Sequence, residues 1–146
     1  MDSISHEQRS WNMSRIRGKN TKPEIVVRRL LHNLGYRFRL HKQGLPGTPD
    51  LVLKSYKTVV FVQGCFWHRH QGCKLSNLPK SRRTYWQNKF RKNVARDKRN
   101  QMLLTKAGWN VIVVWECEAQ QPNQLSRALD RAIRGDSVPR RAENCD

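Results

Sequence analysis

Pro49-Asp50-Leu51-Val52-Leu53-Lys54-Ser55-Tyr56-Lys57-Thr58-Val59-Val60-Phe61-Val62-Gln63, running directly into Gly64-Cys65-Phe66-Trp67-His68-Arg69-His70-Gln71-Gly72-Cys73, is the stretch on which the fold turns. Two short, β-branched apolar runs flank Ser55-Tyr56-Lys57, the pattern of a hairpin. Pairing them places Asp50, at the opening of the first strand, beside the carboxyl end of the second, next to Gln63 and the segment that follows. Two thiols, two imidazoles and two large aromatic rings are packed into residues 65–73, a composition that core packing alone does not explain. A fifth candidate donor, Cys117, ends the strongly apolar run through Trp115-Glu116. Any four of the five would complete a tetrahedral zinc site. His68 and His70 are two apart and share one side of an extended segment, so spacing leaves open which of them binds.

Outward from this centre, Thr21-Lys22-Pro23-Glu24 reads as a helix start, with Thr21 as cap and Pro23 and Glu24 in the first turn. Ile25, Val26, Leu30, Leu31 and Leu34 supply the helical stripe and Gly35 closes it. Tyr36, Phe38 and Leu40 alternate with Arg37, Arg39 and His41, the period of a strand with one basic face. Gly44 to Pro49 is a turn-rich loop. Residues 82–107 carry a long helical pattern through Trp86, Phe90, Val94, Leu103 and Leu104, ended by Gly108. Trp109 to Trp115 reads as a buried strand and Gln124 to Arg134 as a last amphipathic helix. The pattern predicts a basic arm or short helix over 1–20, one domain over 21–135 and a flexible tail over 136–146. The expected fold is a single mixed α/β sheet flanked by helices, with a metal loop after the third strand.

Length and charge bound the function. A chain of 146 residues buries a core without disulfide staples. Lys and Arg number 29 against 11 Asp and Glu, a formal charge of +18, and the natural partner of such a chain is a polyanion, most commonly nucleic acid. Between Lys80 and Arg99 there are nine basic residues and a single acid, Asp97. No apolar stretch approaches the roughly 20 residues of a spanning helix, and no signal-peptide h-region opens the chain. The expected location is the cytoplasm, where clustered Cys and His favour metal over disulfides. Cys145 reads as a bystander.

Scarce acids are easier to weigh. Asp50 stands at a sheet edge after Gly47-Thr48-Pro49, a setting that suits Mg²⁺, which takes one or two protein oxygens and completes its shell with water and phosphate. The bland alternative is a cap or an ion pair with a nearby cation. His68 is the candidate for proton transfer, since imidazole exchanges protons near neutrality, and its alternative is to be a zinc ligand. Phe66 and Trp67 form either a wedge between base pairs or a small core over the zinc, and the spacing of Trp86 with Phe90 and Val94 fits a buried helix face. Pro-Asp followed by a second polar position at the end of the neighbouring strand resembles the restriction-endonuclease-like nucleases.

With Asn12-Met13, Glu24, Leu45 to Asp50, Gly64-Cys65-Phe66-Trp67-His68, His70, Cys73, Tyr85-Trp86, Lys92 to Asp97, and Gly108-Trp109 through Val114-Trp115-Glu116-Cys117, the chain resembles the very-short-patch-repair endonucleases. These are bacterial enzymes that nick DNA beside a T:G mismatch left by deamination of 5-methylcytosine. The resemblance spans about residues 10–120 in consistent order. It implies that Cys65, His70, Cys73 and Cys117 hold a structural zinc, that Asp50 and the main chain of Val62 hold catalytic Mg²⁺, and that His68 is the acid/base group with Glu24 close by. It further implies that Phe66, Trp67 and Trp86 form a wedge and that Met13 inserts from the minor groove; the basic charge of residues 80–99, Lys89, Arg91 and Lys92 among them, is expected to meet backbone phosphates. The chain departs from the family at Gln63, where some members carry a second catalytic histidine, and at Gln71-Gly72 in a loop that is elsewhere His-rich. The implied enzyme is a monomer in the bacterial nucleoid, leaves 5′-phosphate and 3′-hydroxyl ends, and hands its product to repair proteins. Two rivals keep the charge and the zinc: a nucleic-acid-binding module without catalysis, and a restriction-type enzyme that cuts both strands.

Overall fold

Residues 20–135 are described by the structure, a computed structural model of the chain; the expectations placed on residues 1–19, Met13 among them, and on 136–146 lie outside the described residues. Strands β1 (Arg39–Leu40), β2 (Leu51–Leu53), β3 (Thr58–Gln63) and β4 (Asn110–Trp115) form one mixed sheet in that order. The expected hairpin is present, with Leu51 opposite Val60 and Leu53 opposite Thr58. A 3₁₀ turn over Lys54–Tyr56 and a left-handed Lys57 at φ 50° close it. β3 and β4 run parallel, and helix α2 (Arg83–Lys106) supplies the crossover that a parallel pair requires. Helix α1 (Lys22–Asn33) precedes the sheet and α3 (Pro122–Arg134) follows it.

The layers follow from the two-residue period of the strands. Leu51, Leu53, Val60, Ile112 and Val114 turn to one face, where they join Val27 and Leu31 of α1 and Leu125, Leu129 and Ile133 of α3. Val52, Val59 and Phe61 turn to the other face and meet Leu104 of α2. An isolated 13-residue helix such as α3 is marginal in water. Its three buried aliphatic side chains, each contributing about 1.5–3 kcal/mol, are what hold it against the sheet. No helix among the described residues is long and apolar enough to cross a membrane.

Helix α1 starts as its sequence predicts. Thr21 Oγ1 accepts from the Glu24 amide at 3.4 Å, and Glu24 Oε1 accepts from the Asn20 amide at 3.3 Å, a reciprocal arrangement close to a capping box. The helix buries Val27 and Leu31, while Ile25 and Val26 are only half-buried. Expected strand residues Tyr36 to Leu40 shrink to Arg39–Leu40, both exposed. The reason is that Tyr36 closes α1, its amide donating to the Leu31 carbonyl, while its ring enters the core and its hydroxyl donates to Asp130 Oδ1 at 2.6 Å.

The loop that delivers Asp50 to the sheet depends on Gly47. Its φ is +76°, and a Cβ there would lie 3.1 Å from Asn100 Cβ and 3.2 Å from the Phe61 ring. Gly47→Ala is therefore expected to lose roughly 1–3 kcal/mol of stability, from left-handed strain and crowding of the Phe61 side of the sheet. Urea denaturation with an unchanged m-value checks this.

Candidate functional site

Parallel pairing decides where the thiols go. Gln63 is in register with Trp115, so the chain leaves both strands at the same level, and Cys65 and Cys117, each two residues beyond, arrive together. His70 and Cys73 return to the same point because residues 64–76 fold back on themselves. The His68 amide donates to the Gly64 carbonyl, the His70 amide to the Cys65 carbonyl, and Ser76 Oγ to the carbonyls of His70 and Cys73 at 2.7 and 2.9 Å. One donor atom from each of Cys65, His70, Cys73 and Cys117 lies within 4.8 Å of the others. His70 Nδ1 is 3.5 Å from Cys65 Sγ and 3.4 Å from Cys117 Sγ. Zn–S of about 2.3 Å and Zn–N of about 2.0–2.1 Å at a tetrahedral angle require a separation of about 3.6 Å, so the four donors fit one such ion. The His70 ring stacks on Trp115 with centroids 4.4 Å apart. Burial pushes the Cys65 and Cys117 thiols up, a cost that a divalent cation reverses by binding the thiolates.

Beside this cluster lies an open cleft of about 1060 Å³ whose lining includes His41, Asp50, Val62, Gln63, Trp67 and His68. Asp50 is anchored by the Val62 amide, which donates to Oδ2 at 2.7 Å. Burial pushes the Asp50 carboxyl up to about 6; the Val62 hydrogen bond opposes this, the Glu24 charge adds to it, and His41 and His68 offset part of it. Glu24 is buried beneath, paired with Arg28, with Oε2 2.8 Å from His41 Nε2. Glu24, His41 and Asp50 form a second group able to hold a metal ion, their donor atoms within 4.8 Å of one another.

Helix α2 organises the rest from one stripe at three- and four-residue spacing. Phe90 is buried beneath the aromatics, Asn93 Nδ2 donates to the Trp67 carbonyl at 3.2 Å, and Asp97 Oδ2 lies 2.5 Å from His68 Nδ1. Asn100, further along, packs against Gly47. Phe66 meets Trp67, Trp86 and Phe90 edge-on at centroid distances of 5.2, 5.6 and 5.1 Å, and Trp67 lies 5.9 Å from Trp86. Phe66, Trp67 and Trp86 are only half-buried, so this cluster is a supported platform open to solvent on one side. Arg69, left-handed at φ 57°, donates to the Phe66 carbonyl and lies 4.3 Å over the Phe90 ring. Lys89 approaches the Trp67 ring at 6.0 Å, and Arg91 and Lys92 are exposed on the same helix.

The structure thus brings Asp50, Glu24, Val62, Gln63 and His68 to one place, with Phe66 and Trp67 lining the same cleft, and Cys65, His70, Cys73 and Cys117 to another. Three residues carrying no role in the sequence reading belong to the site. Asp97 had a signal, as the lone acid of the most basic segment and in helical phase with Trp86, Phe90 and Asn93. Asn93 had that phase and its place in the Lys92 to Asp97 run, and His41 was hidden in a period-two basic pattern.

Comparison with known proteins adds to this geometry. The family profile described as DNA mismatch endonuclease Vsr matches residues 1–74. The chain is 52% identical over 128 residues to the Type II nicking enzyme V.XorIIP of Xanthomonas oryzae pv. oryzae, covering 88% of this chain and 93% of that protein. It is 43% identical to the Type II nicking enzyme V.NmeAIP of Neisseria meningitidis, covering 91% of this chain and 94% of the relative. It is 41% identical to the DNA mismatch endonuclease Vsr of Escherichia coli, covering 81% of this chain and 75% of the relative.

Two outcomes follow from the geometry. His70→Ala should release the metal of the thiol cluster and loosen residues 64–76, whereas His68→Ala should keep it, as read by metal content and amide exchange. Asp50 sits above its ordinary value of 3.8, so its neutral form stabilises the fold below that pH and this contribution is lost as pH rises through about 6. Without added divalent cation at neutral pH, Asp50→Asn should therefore raise the melting temperature, by the equivalent of roughly 1–3 kcal/mol.

Proposed function

The chain belongs to the DNA mismatch endonuclease Vsr family, and from that membership we propose that it nicks one strand of duplex DNA on the 5′ side of the T in a T:G mismatch, initiating very short patch repair. The observation that carries this reading is that a half-buried carboxylate, Asp50, and an anchored imidazole, His68, line the same cleft as the aromatic platform of Phe66 and Trp67. Chemistry and helix opening are thereby adjacent. A restriction-endonuclease-like assignment of the sheet agrees with Asp50 on one strand of a hairpin facing Val62 and Gln63 on the next.

Cys65, His70, Cys73 and Cys117 would hold a structural zinc, for which three thiolates and one imidazole are a closed donor set. Asp50 and the main-chain carbonyl of Val62 would hold Mg²⁺, which supplies neutralisation of charge developing on the scissile phosphate. His68 takes a proton from the attacking water. Its Nδ1 is engaged by Asp97, so that proton passes to Nε2, while the Asp97 carboxylate fixes the ring and stabilises the imidazolium that results. The water oxygen bonds to phosphorus as the bond to the 3′ oxygen breaks, leaving 5′-phosphate and 3′-hydroxyl ends. Glu24 keeps the Asp50 surroundings negative, and the Gln63 amide serves as a phosphate contact in place of a second imidazole.

Phe66 and Trp67, backed by Trp86 and Phe90, insert between base pairs beside the mismatch. Unstacking costs a few kcal/mol per step and less at a mispair, and that difference is a source of selectivity. Met13 of the N-terminal arm enters from the minor-groove side. Lys89, Arg91 and Lys92 bind backbone phosphates, giving affinity that falls with salt and no base reading. The enzyme acts as a monomer in the cytoplasm on nucleoid DNA.

A duplex labelled on each strand, T:G or matched, tests this with Mg²⁺ and with EDTA. Expected is a single nick in the T-bearing strand of the mismatched duplex with Mg²⁺ only, reduced at least about 10²-fold by Asp50→Ala or His68→Ala and less by Asp97→Asn. Cleavage of both strands, or equal cutting of matched DNA, would contradict the assignment.

A further inference from the structure

We infer that His41 is a protein ligand of the divalent cation at Asp50, which gives this site a nitrogen donor and a preference for Mn²⁺ over Mg²⁺. The inference rests on the reading of Asp50 as a cation ligand and adds to it the identity of the ion.

Backbone geometry aims this side chain. His41 follows β1 directly and takes a left-handed conformation, φ 46°, which a non-glycine residue adopts only where its surroundings enforce it. Its amide donates to the Asp50 carbonyl at 3.0 Å, so the two residues are locked together across the β1–β2 ladder. The turn brings His41 Nε2 to 2.8 Å from Glu24 Oε2 and 3.9 Å from Asp50 Oδ1. Nε2 is sealed from solvent yet makes no aligned hydrogen bond, so its close approach to Glu24 does not use it as a well-directed donor. A buried polar nitrogen left in this way is costly unless something else engages it.

The spacing fits a cation. Around an octahedral ion at about 2.1–2.2 Å, neighbouring donor atoms stand about 3 Å apart and opposite ones about 4.3 Å. Separations of 2.8 and 3.9 Å fall at or near that range. Arg28 pairs with the same Glu24 Oε2 that approaches His41, and the Asn20 amide donates to Oε1, so both oxygens of the carboxylate are held in place beside the His41 and Asp50 donor atoms. Mg²⁺ selects oxygen and dehydrates reluctantly, whereas first-row transition ions accept imidazole readily. One nitrogen beside two carboxylates therefore favours Mn²⁺.

The test uses the full-length, zinc-loaded protein with Mn²⁺ as the probe. Electron spin-echo modulation of bound Mn²⁺ should show coupling to a ¹⁴N nucleus. His41→Gln and His41→Asn should abolish the coupling and weaken Mn²⁺ binding at least about tenfold, while Mg²⁺ binding changes by less than about threefold. His68→Gln should retain the coupling; since His41 and His68 are the imidazoles lining the cleft, this arm decides the matter even where the His41 variants unfold. Absence of nitrogen coupling in the wild type, its survival in a folded His41→Gln protein, or its loss in His68→Gln would each overturn the inference. If Asp50→Ala abolishes nicking while bound Mn²⁺ shows no nitrogen coupling, the His41 assignment alone fails. If Asp50→Ala still nicks the mismatch, the functional reading fails with it.

Discussion

Everything in the site hangs from the parallel pairing of β3 with β4. That ladder brings two carboxyl ends, 52 positions apart in sequence, to the same level with Gln63 beside Trp115. Parallel strands deliver their ends side by side, and what emerges from such ends is where α/β folds put chemistry. Here two kinds of group emerge. Cys65 and Cys117 leave on the continuing chains, while Asp50, brought alongside by the antiparallel hairpin, stands one strand away with its carboxylate tied to the Val62 amide. A slip of one residue in the β3–β4 register would separate the thiols and turn the alternate face of each strand into the wrong core.

The crossover that makes parallel pairing possible is also the structural spine of the site. One stripe of α2 runs from Trp86 and Phe90 under the aromatics, through Asn93 on the Trp67 carbonyl and Asp97 on His68, to Asn100 against Gly47 and Leu104 in the core. The wedge candidates and the proton-transfer candidate are therefore referenced to the same rigid helix, whose opposite side carries exposed cations. The helix is docked by its apolar and amide positions, with its charges facing outward, so the exposed cations and the Asp97 that holds His68 belong to one rigid element.

Stability is sacrificed at both candidate metal sites. Burial pushes the Cys65 and Cys117 thiols up and the Asp50 carboxyl up to about 6, so each favours its protonated form in the absence of a cation. The loop of residues 64–76 is built of turns with Arg69 in a left-handed conformation, and its apolar burial rests on Cys65 and on the half-buried Phe66 and Trp67 rings packed against α2. A metal ion held by the thiol cluster would add to its order, in the way small metal-held segments behave.

Much was legible in the residues themselves. The hairpin, the helix start at Thr21, the long basic helix and the thiol–imidazole cluster of residues 65–73 are local or compositional signals, because period, capping chemistry and donor clustering act over a few residues. The division of labour between His68 and His70 was not legible from their spacing. Both sit in one short loop, and only the folded chain shows His70 turned inward against Trp115 and the thiols and His68 turned to Asp97 on α2. Tyr36 was misread as strand because its alternation with Arg37 and Phe38 mimics a pleat, whereas its ring is recruited by a core contact with α3. His41 was invisible for the same reason: its role depends on a left-handed backbone and on two carboxylates brought together from α1 and from the start of β2. Local chemistry along the chain dictates which elements form and which donors exist; which donors meet is settled only on folding, since strand register, a crossover helix and the left-handed backbone at His41 set distances that no spacing along the chain encodes.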